Sequence, residues 1–136
     1  MLKAQLRVRN DPAGSGHFGA LRGSRRHRGI DFILRPRDGL CSPVAGAVTK
    51  LGYAYPEDLS YRYVEVTDAD GLRHRFFYVY PDVDEDDIVE EGTVLGCAQN
   101  IADKYPDTEM ENHVHYEIID TEGTYLDPEA VYGVTV

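Results

Sequence analysis

Short runs of β-branched and aromatic residues, separated by clusters of Gly, Pro and Asp, recur along the chain. The runs are GAVTKLGY, YRYVEVTD, RHRFFYVY, TVLGCA and HVHYEIID, and the clusters include RPRDG, YPEDLS, DADG, PDVDEDD and DTEG. Such runs favour strands and such clusters favour turns, and Asp70-Gly71 between two runs predicts a hairpin. Only NIADKYPD indicates a helical turn. The pattern predicts a mainly β chain, folded as a single antiparallel β-sheet domain over residues 1–136.

Length and charge limit the classes of function. A chain of 136 residues is enough for one domain with a buried core. The net charge is −10, but residues 1–37 carry nine Lys and Arg against two acidic residues, so the rest of the chain is strongly acidic. An acidic bulk argues against nucleic-acid binding, whose electrostatic footprint is basic. No window approaches the roughly 18 apolar residues of a membrane span.

Three further features carry expectations of their own. The first residues, MLKAQLRVRND, lack the apolar core of a secretory signal, so we expect synthesis in the cytoplasm without a signal peptide. The basic stretch RGSRRHR, residues 22–28, is open to two interpretations, an anion-facing rim or a solvated loop, and we favour the loop. Cys41 and Cys97 have neither metal-type spacing nor a disulfide framework, and each is predicted to be a buried free thiol.

Two histidines stand two residues apart in the strand-like run HVHYEI. Residues i and i+2 of a strand point to the same face, so His113 and His115 are predicted to project side by side, with Cα atoms about 6–7 Å apart. Such a pair can ligate a metal with one ring and act on a substrate or water with the other. The alternative interpretation is two half-buried polar residues on a sheet face.

A second motif, HRGID, places three residues between His27 and Asp31. Gly29 permits a bend, so that a loop can aim both side chains at a common point. Zinc sites that catalyse hydrolysis take three ligands from histidine and carboxylate side chains and leave a fourth position for water. His27, Asp31 and one of the two later histidines supply such a set. The sequence therefore predicts a site for one zinc ion.

In this order, the motifs resemble those of the lysostaphin/LytM-type zinc peptidases, which cut peptide cross-links of bacterial cell walls. The family signature runs H-x-G-x-D, A-P-x-x-G-x-V, Y-x-H, V-x-x-G-x-x-I/L-G, H-L-H-F-E and a terminal D-P. The counterparts here are His27 to Asp31, Ser42-Pro43 through Gly46 to Val48, Val89 to Gly92, Leu95-Gly96, His113 to Glu117, and Asp127-Pro128. The upstream HFGALRG is similar to the family's lead-in, and the resemblance runs from about His17 to Tyr132.

The resemblance implies a mainly antiparallel β fold with long loops around a zinc groove, and a core over about residues 17–132. It makes His27, Asp31 and His115 the ligands of one zinc ion, and His113 the free imidazole beside the metal. The implied activity is hydrolysis of a peptidoglycan peptide. A small chain without a signal fits a bacteriophage or prophage product that is virion-associated or released at lysis, with virion or other proteins as further partners.

One position departs from the family's pattern. Where the family reads Y-x-H, this chain reads Tyr78-Val79-Tyr80, so Tyr80 is expected where the second catalytic histidine stands. Loss of a positioned proton carrier or oxyanion donor typically costs about 10²–10⁴ in rate. His74 cannot substitute, because six strand residues span roughly 20 Å. Tyr80 is predicted to donate a hydrogen bond to the oxyanion, leaving His113 as the only good base, since a phenol with a pKa of about 10 is a poor one.

A second departure is the long acidic segment CAQNIADKYPDTEMEN, which stands where the family has a short loop rich in Gly and Ser. Both departures are similar in kind to those of leukocyte cell-derived chemotaxin, a vertebrate relative regarded as zinc-bound but not a working peptidase. The sequence thus leaves two functions open. One is a cell-wall endopeptidase, and the other is a catalytically impaired, zinc-stabilised module that binds a glycan, peptide or partner protein.

Overall fold

A computed structural model of the protein describes residues 7–12, 14–22 and 25–129, and almost all regular structure within these ranges is β. The strands are β1 (Asn10–Asp11), β2 (Gly14–Ser15), β3 (Leu21–Arg22), β4 (Arg25–Arg26), β5 (Ile30–Ile33), β6 (Gly39–Cys41), β7 (Gly46–Tyr55), β8 (Asp58–Thr67), β9 (Arg73–Phe77), β10 (Val79–Pro81), β11 (Ile88–Val89), β12 (Val94–Ala98), β13 (His113–Ile119) and β14 (Tyr125–Leu126). Two short 3₁₀ turns, Ala102–Lys104 and Pro106–Thr108, lie between β12 and β13, in the segment where a helical turn was predicted.

One seven-stranded sheet dominates the fold. Its order is β11-β7-β8-β9-β13-β14, and β5 also pairs with β13. A three-stranded sheet, β10-β12-β6, and two ribbons, β1-β2 and β3-β4, lie beside it. Every one of these pairings is antiparallel, which confirms the predicted fold class.

The hairpin predicted at Asp70-Gly71 joins β8 to β9. The Asp68 carboxylate accepts hydrogen bonds from the backbone N–H groups of Asp70 and Leu72, at 2.9 and 3.0 Å. Gly71 has a φ of 84°, a conformation that glycine adopts without steric cost. The turn is longer than a two-residue loop because the side chain of Asp68 supplies part of its hydrogen bonding.

Alternation along β13 separates the core from the functional face. Val114, Tyr116 and Ile118 enter the apolar core, where the rings of Tyr116 and Phe76 stack with centroids 4.6 Å apart. Burial of each large side chain of this kind contributes roughly 1.5–3 kcal/mol. The alternate residues His113, His115 and Glu117 point to the opposite face, where they line a groove.

His74 belongs to the core rather than to that groove. It is 1 % exposed, and its Nδ1 and Nε2 atoms lie 2.7 Å from Tyr116 Oη and 2.9 Å from Asp68 Oδ2. Both ring nitrogens are therefore satisfied within the fold. This placement agrees with the expectation that His74 does not reach the catalytic residues.

The pair formed by His74 and Asp68 should make the fold sensitive to acid. Burial lowers the pKa of His74. Burial would raise the pKa of Asp68, but hydrogen bonds from His74 and from two backbone N–H groups outweigh it and lower that pKa. The unfolded chain therefore binds protons first at these groups, so stability falls as the pH drops below about 6.5 and again below about 3.9. In thermal melts, the decline of Tm below about pH 6.5 should be smaller for His74→Gln than for wild type. Identical pH profiles of Tm would contradict this assignment.

Two further expectations concern the cysteines and the membrane. Cys41 and Cys97 are both free, as predicted, but each is only partly buried rather than buried. Within the three described ranges, no helix combines the length and apolarity needed to cross a membrane.

Candidate metal centre and groove

The two histidine motifs meet because β5 pairs with β13. The register places the Cα atom of Asp31 opposite that of His115, and His27 lies in the loop that leads into β5. Gly29, in this loop, passes against the backbone carbonyl of Tyr116, so that any Cβ there would collide with β13. Glycine therefore allows the loop to approach the strand closely enough for both motifs to share one centre.

Three side-chain atoms converge at this centre. His27 Nε2 lies 3.1 Å from His115 Nδ1, His115 Nδ1 lies 3.0 Å from Asp31 Oδ1, and His27 Nε2 lies 3.2 Å from the same oxygen. Among the described residues, His27, Asp31 and His115 are the cluster of side chains whose ligand atoms lie close enough together to hold a metal ion. Around a tetrahedral zinc ion with bonds of 2.0–2.1 Å, neighbouring ligand atoms are about 3.3 Å apart, so the spacing fits.

The outer nitrogen of each ligand histidine has an acceptor of its own. His27 Nδ1 lies 3.0 Å from the carbonyl oxygen of His17, and His115 Nε2 lies 2.9 Å from Glu117 Oε1. Each of these nitrogens donates its N–H, so the inner nitrogens and Asp31 Oδ1 present three lone pairs to one point. Such an arrangement requires a positive charge at its centre.

The electrostatics of the site lead to the same requirement. Burial alone would lower the pKa of His115, but the carboxylates of Asp31 and Glu117 outweigh it and raise that pKa to about 9. Burial opposes ionisation of Asp31, yet hydrogen bonds from His115 and His27 hold its pKa well below the ordinary value. The centre therefore attracts one cation, either a proton or a metal ion, at neutral pH.

Arg9 supports the carboxylate ligand from behind. Its side chain is almost fully buried, with Nε and Nη2 each 3.2 Å from Asp31 Oδ2 and Nη1 2.8 Å from Asp11 Oδ1. This leaves Asp31 Oδ1 to face the histidines. No motif in the sequence indicates this role of Arg9, because it is a single arginine near the N-terminus and its partner lies 22 residues away.

His113 lies beside the centre without belonging to it. It is 4 % exposed, and its Nδ1 lies 2.9 Å from the carbonyl oxygen of Glu111, to which it donates. Its Nε2 is 3.8 Å from Asp31 Oδ2, the oxygen that faces away from the other two histidines. Burial lowers the pKa of His113, so the ring is neutral at neutral pH and Nε2 carries a lone pair.

Tyr80 does not reach this cluster, and Tyr78 does. Tyr80 lies on β10 and is 60 % exposed, whereas the ring of Tyr78 contacts His113 edge-on, with centroids 5.6 Å apart. The expectation that Tyr80 stands at the site is wrong, because Tyr78 has a φ of 70° and interrupts the strand between β9 and β10. Matching the family's Y-x-H to Phe76-Phe77-Tyr78, two residues earlier, would have placed Tyr78 correctly.

The predicted metal ligands and His113 line a groove of about 420 Å³. Tyr55, Tyr78 and Tyr105, which contact one another, form an aromatic wall of this groove. Arg25 and Arg26, which belong to the basic stretch, make up the exposed strand β4, and Arg25 also lines the groove.

The long acidic segment before β13 folds over the groove as part of its wall. Asn112 ties the two ends of this segment together, because its Nδ2 donates to the carbonyl oxygens of Leu34 and Gln99 and its Oδ1 accepts from the N–H of Ala102. Lys104 Nζ lies 3.1 Å from Asp58 Oδ2 and anchors the middle of the segment to β8. The insertion is therefore a fixed part of the groove.

Comparison with known proteins gives a likeness of fold. No protein-family model and no curated protein sequence matches the chain significantly. The catalytic domain of the antimicrobial peptidase lysostaphin from Staphylococcus simulans matches with a TM-score of 0.68 and 18 % identity, over 88 % of this chain and 90 % of that one. A mutant catalytic domain of the prophage-encoded M23 protein EnpA from Enterococcus faecalis matches with a TM-score of 0.67 and 18 % identity, over 95 % and 93 %.

A structure of the SpoIIIAH and SpoIIQ complex matches with a TM-score of 0.60 and 26 % identity, over 79 % of this chain and 72 % of that one. In two further structures of lysostaphin, the chain spans about half the length, 53 % and 47 % of those chains. The chain thus has the mainly β, antiparallel fold of the lysostaphin catalytic domain.

Proposed function

We propose that this chain is a zinc-dependent endopeptidase of the lysostaphin/LytM type, which cleaves peptide cross-links of bacterial peptidoglycan. The convergence of three lone pairs from His27, Asp31 and His115 carries the proposal, since it supplies the ligand set of a hydrolytic zinc site with a fourth position open to the groove. The fold shared with the lysostaphin catalytic domain supports the choice of substrate.

His27, Asp31 and His115 would hold the metal. When bound, zinc polarises the scissile carbonyl and lowers the pKa of a water molecule. His113 accepts the proton of the attacking water at Nε2 and returns it to the amine that leaves when the peptide C–N bond breaks. Its Nδ1–H donates a hydrogen bond to the backbone carbonyl oxygen of Glu111, and this bond orients the ring for both proton transfers.

The proposal predicts that the protein, purified without a metal-affinity tag, contains one zinc ion per chain and solubilises cell walls. Muropeptide analysis should detect new amino termini within the cross-links, and the loss of turbidity should stop with a chelator and resume with added zinc. The His115→Ala variant is the control for contaminating hydrolases. If wild-type protein with a full complement of zinc releases no peptide from walls of several cross-link types, the chain is not such a peptidase.

The second candidate is a binding module in which zinc stabilises the fold and the groove binds a glycan, peptide or partner protein. It is favoured by the tyrosine beside His113, where the family has a second histidine, and by the fixed insertion in the groove wall. Co-sedimentation with intact walls, without release of fragments, would distinguish it. For either function, delivery by a virion or at lysis is part of the proposal.

A further inference from the structure

We propose that Tyr78 is a catalytic residue, whose phenolic O–H donates a hydrogen bond to the carbonyl oxygen of the scissile peptide as negative charge develops there. This inference rests on the proposed function and adds a named donor to it. The phenol keeps its proton throughout, and His113 alone carries the proton from water to amine.

The backbone holds Tyr78 in an unusual position. Its φ of 70° lies in the left-handed region, which residues other than glycine rarely adopt. The N–H of Tyr78 donates to the carbonyl oxygen of Arg62 and its own carbonyl oxygen accepts from the N–H of Gln99, both at 2.8 Å. Backbone strain of this kind persists where the surroundings fix it, and it clusters at functional sites. Here it turns the ring of Tyr78 into the groove.

Packing fixes the direction of the ring. The ring of Tyr78 meets His113 edge-on at an interplanar angle of 86° and stacks on Tyr55 with centroids 6.2 Å apart. Tyr61 closes a third side, again edge-on, with centroids 6.4 Å apart. Since neighbours on three sides restrict its rotamer, the hydroxyl is positioned before any substrate binds, which is what a preorganised donor requires.

The hydroxyl groups of three tyrosines form a chain of hydrogen bonds in which each donor points towards Tyr78. Tyr105 Oη donates to Tyr55 Oη over 3.2 Å, and Tyr55 Oη donates to Tyr78 Oη over 3.4 Å. Both contacts are long for O–H···O bonds, but they point the same way. Within the described ranges, no side chain or carbonyl accepts the hydrogen of Tyr78 itself. That hydrogen is therefore available to a ligand in the groove, and the chain behind it polarises the O–H group.

Tyr78 and His113 have complementary hydrogen-bonding roles in the groove. Burial raises the pKa of Tyr78 to about 12, so the phenol stays protonated and can only donate at neutral pH. The ring of His113 beside it donates through Nδ1 to the carbonyl oxygen of Glu111, which leaves Nε2 as the atom that can accept a proton. The groove thus contains one acceptor for a proton, on β13, and one donor for an oxyanion, at the break between β9 and β10.

The test compares Tyr78→Phe with Tyr80→Phe, which removes an exposed hydroxyl two residues away. Both variants keep their rings and should retain zinc. Tyr78→Phe should lower kcat for wall cleavage by about 10²–10³ with little change in KM, as loss of one oxyanion donor does. Tyr80→Phe should match wild type. Tyr78→His, which supplies an imidazole at the same place, should recover part of the lost activity.

A binding readout separates this inference from the proposed function. Inorganic phosphate, a tetrahedral anion, is titrated calorimetrically into each zinc-loaded protein, and Tyr78→Phe should bind it at least about tenfold more weakly than wild type and Tyr80→Phe. Equal phosphate affinity of Tyr78→Phe and wild type, or no binding by wild type, would overturn the role of Tyr78. If wild type cleaves no wall but the tenfold loss is seen, the peptidase proposal fails and the donor assignment stands.

Discussion

Replacement of His115 with alanine should remove zinc from the purified protein, whereas replacement of His113, two residues away on the same strand, should leave it bound. His115 Nδ1 lies within 3.1 Å of both other ligand atoms, but His113 Nε2 reaches only the far oxygen of Asp31, at 3.8 Å. His27→Ala should behave as His115→Ala does, because each removes one of three ligands.

Elemental analysis after exhaustive dialysis would measure the metal content of these variants, with unsubstituted protein treated in parallel. Because metal binding contributes to folding, the two ligand variants should also melt at lower temperature than the His113→Ala variant when zinc is present. In the presence of a chelator these differences in Tm should shrink. Retention of zinc by His115→Ala together with its loss from His113→Ala would reverse the roles of the two histidines.

His113→Ala should reduce the rate of wall cleavage by about 10²–10⁴ while the zinc content stays at one per chain. The reason is that His113, among the residues that the structure describes, is the buried, neutral imidazole that lines the groove without belonging to the three-ligand centre. His113→Asn offers a sharper comparison, since asparagine keeps a polar group at the site but carries no proton at neutral pH. A wild-type rate in either zinc-loaded variant would exclude His113 as the general base.

Much of the candidate site could be predicted because its ligands fall in two short motifs. The spacing of His27 and Asp31 within one loop and the period of two along β13 are local properties, and each is legible in the sequence. The turn at Asp70-Gly71 is local in the same sense. What brings the two motifs together is the pairing of β5 with β13, and the sequence could indicate it only through the resemblance to a known family.

The errors arose where a local rule was overridden by distant contacts. The match of Tyr78-Val79-Tyr80 to the family's Y-x-H put Tyr80 at the site, but the carbonyl oxygen of Arg62 and the N–H of Gln99 hold Tyr78 at a positive φ, and the alternation changes there. Arg9 reaches the site only because its own strand-like segment lies along β5, as the bridge between Val8 and Phe32 shows. Neither contact leaves a pattern in neighbouring residues.

The separation of the ligands along the chain has a mechanical consequence. His27 and His115 are 88 residues apart, and both cysteines are free, so an ion held by these two rings ties the early and late parts of the chain as a disulfide would. Closing a loop of this size restricts the unfolded chain by roughly 4–5 kcal/mol in entropic models of cross-linking. Retention of a bound metal would thus require the pairing of β5 with β13, because these strands cannot separate while both histidines remain attached to the metal.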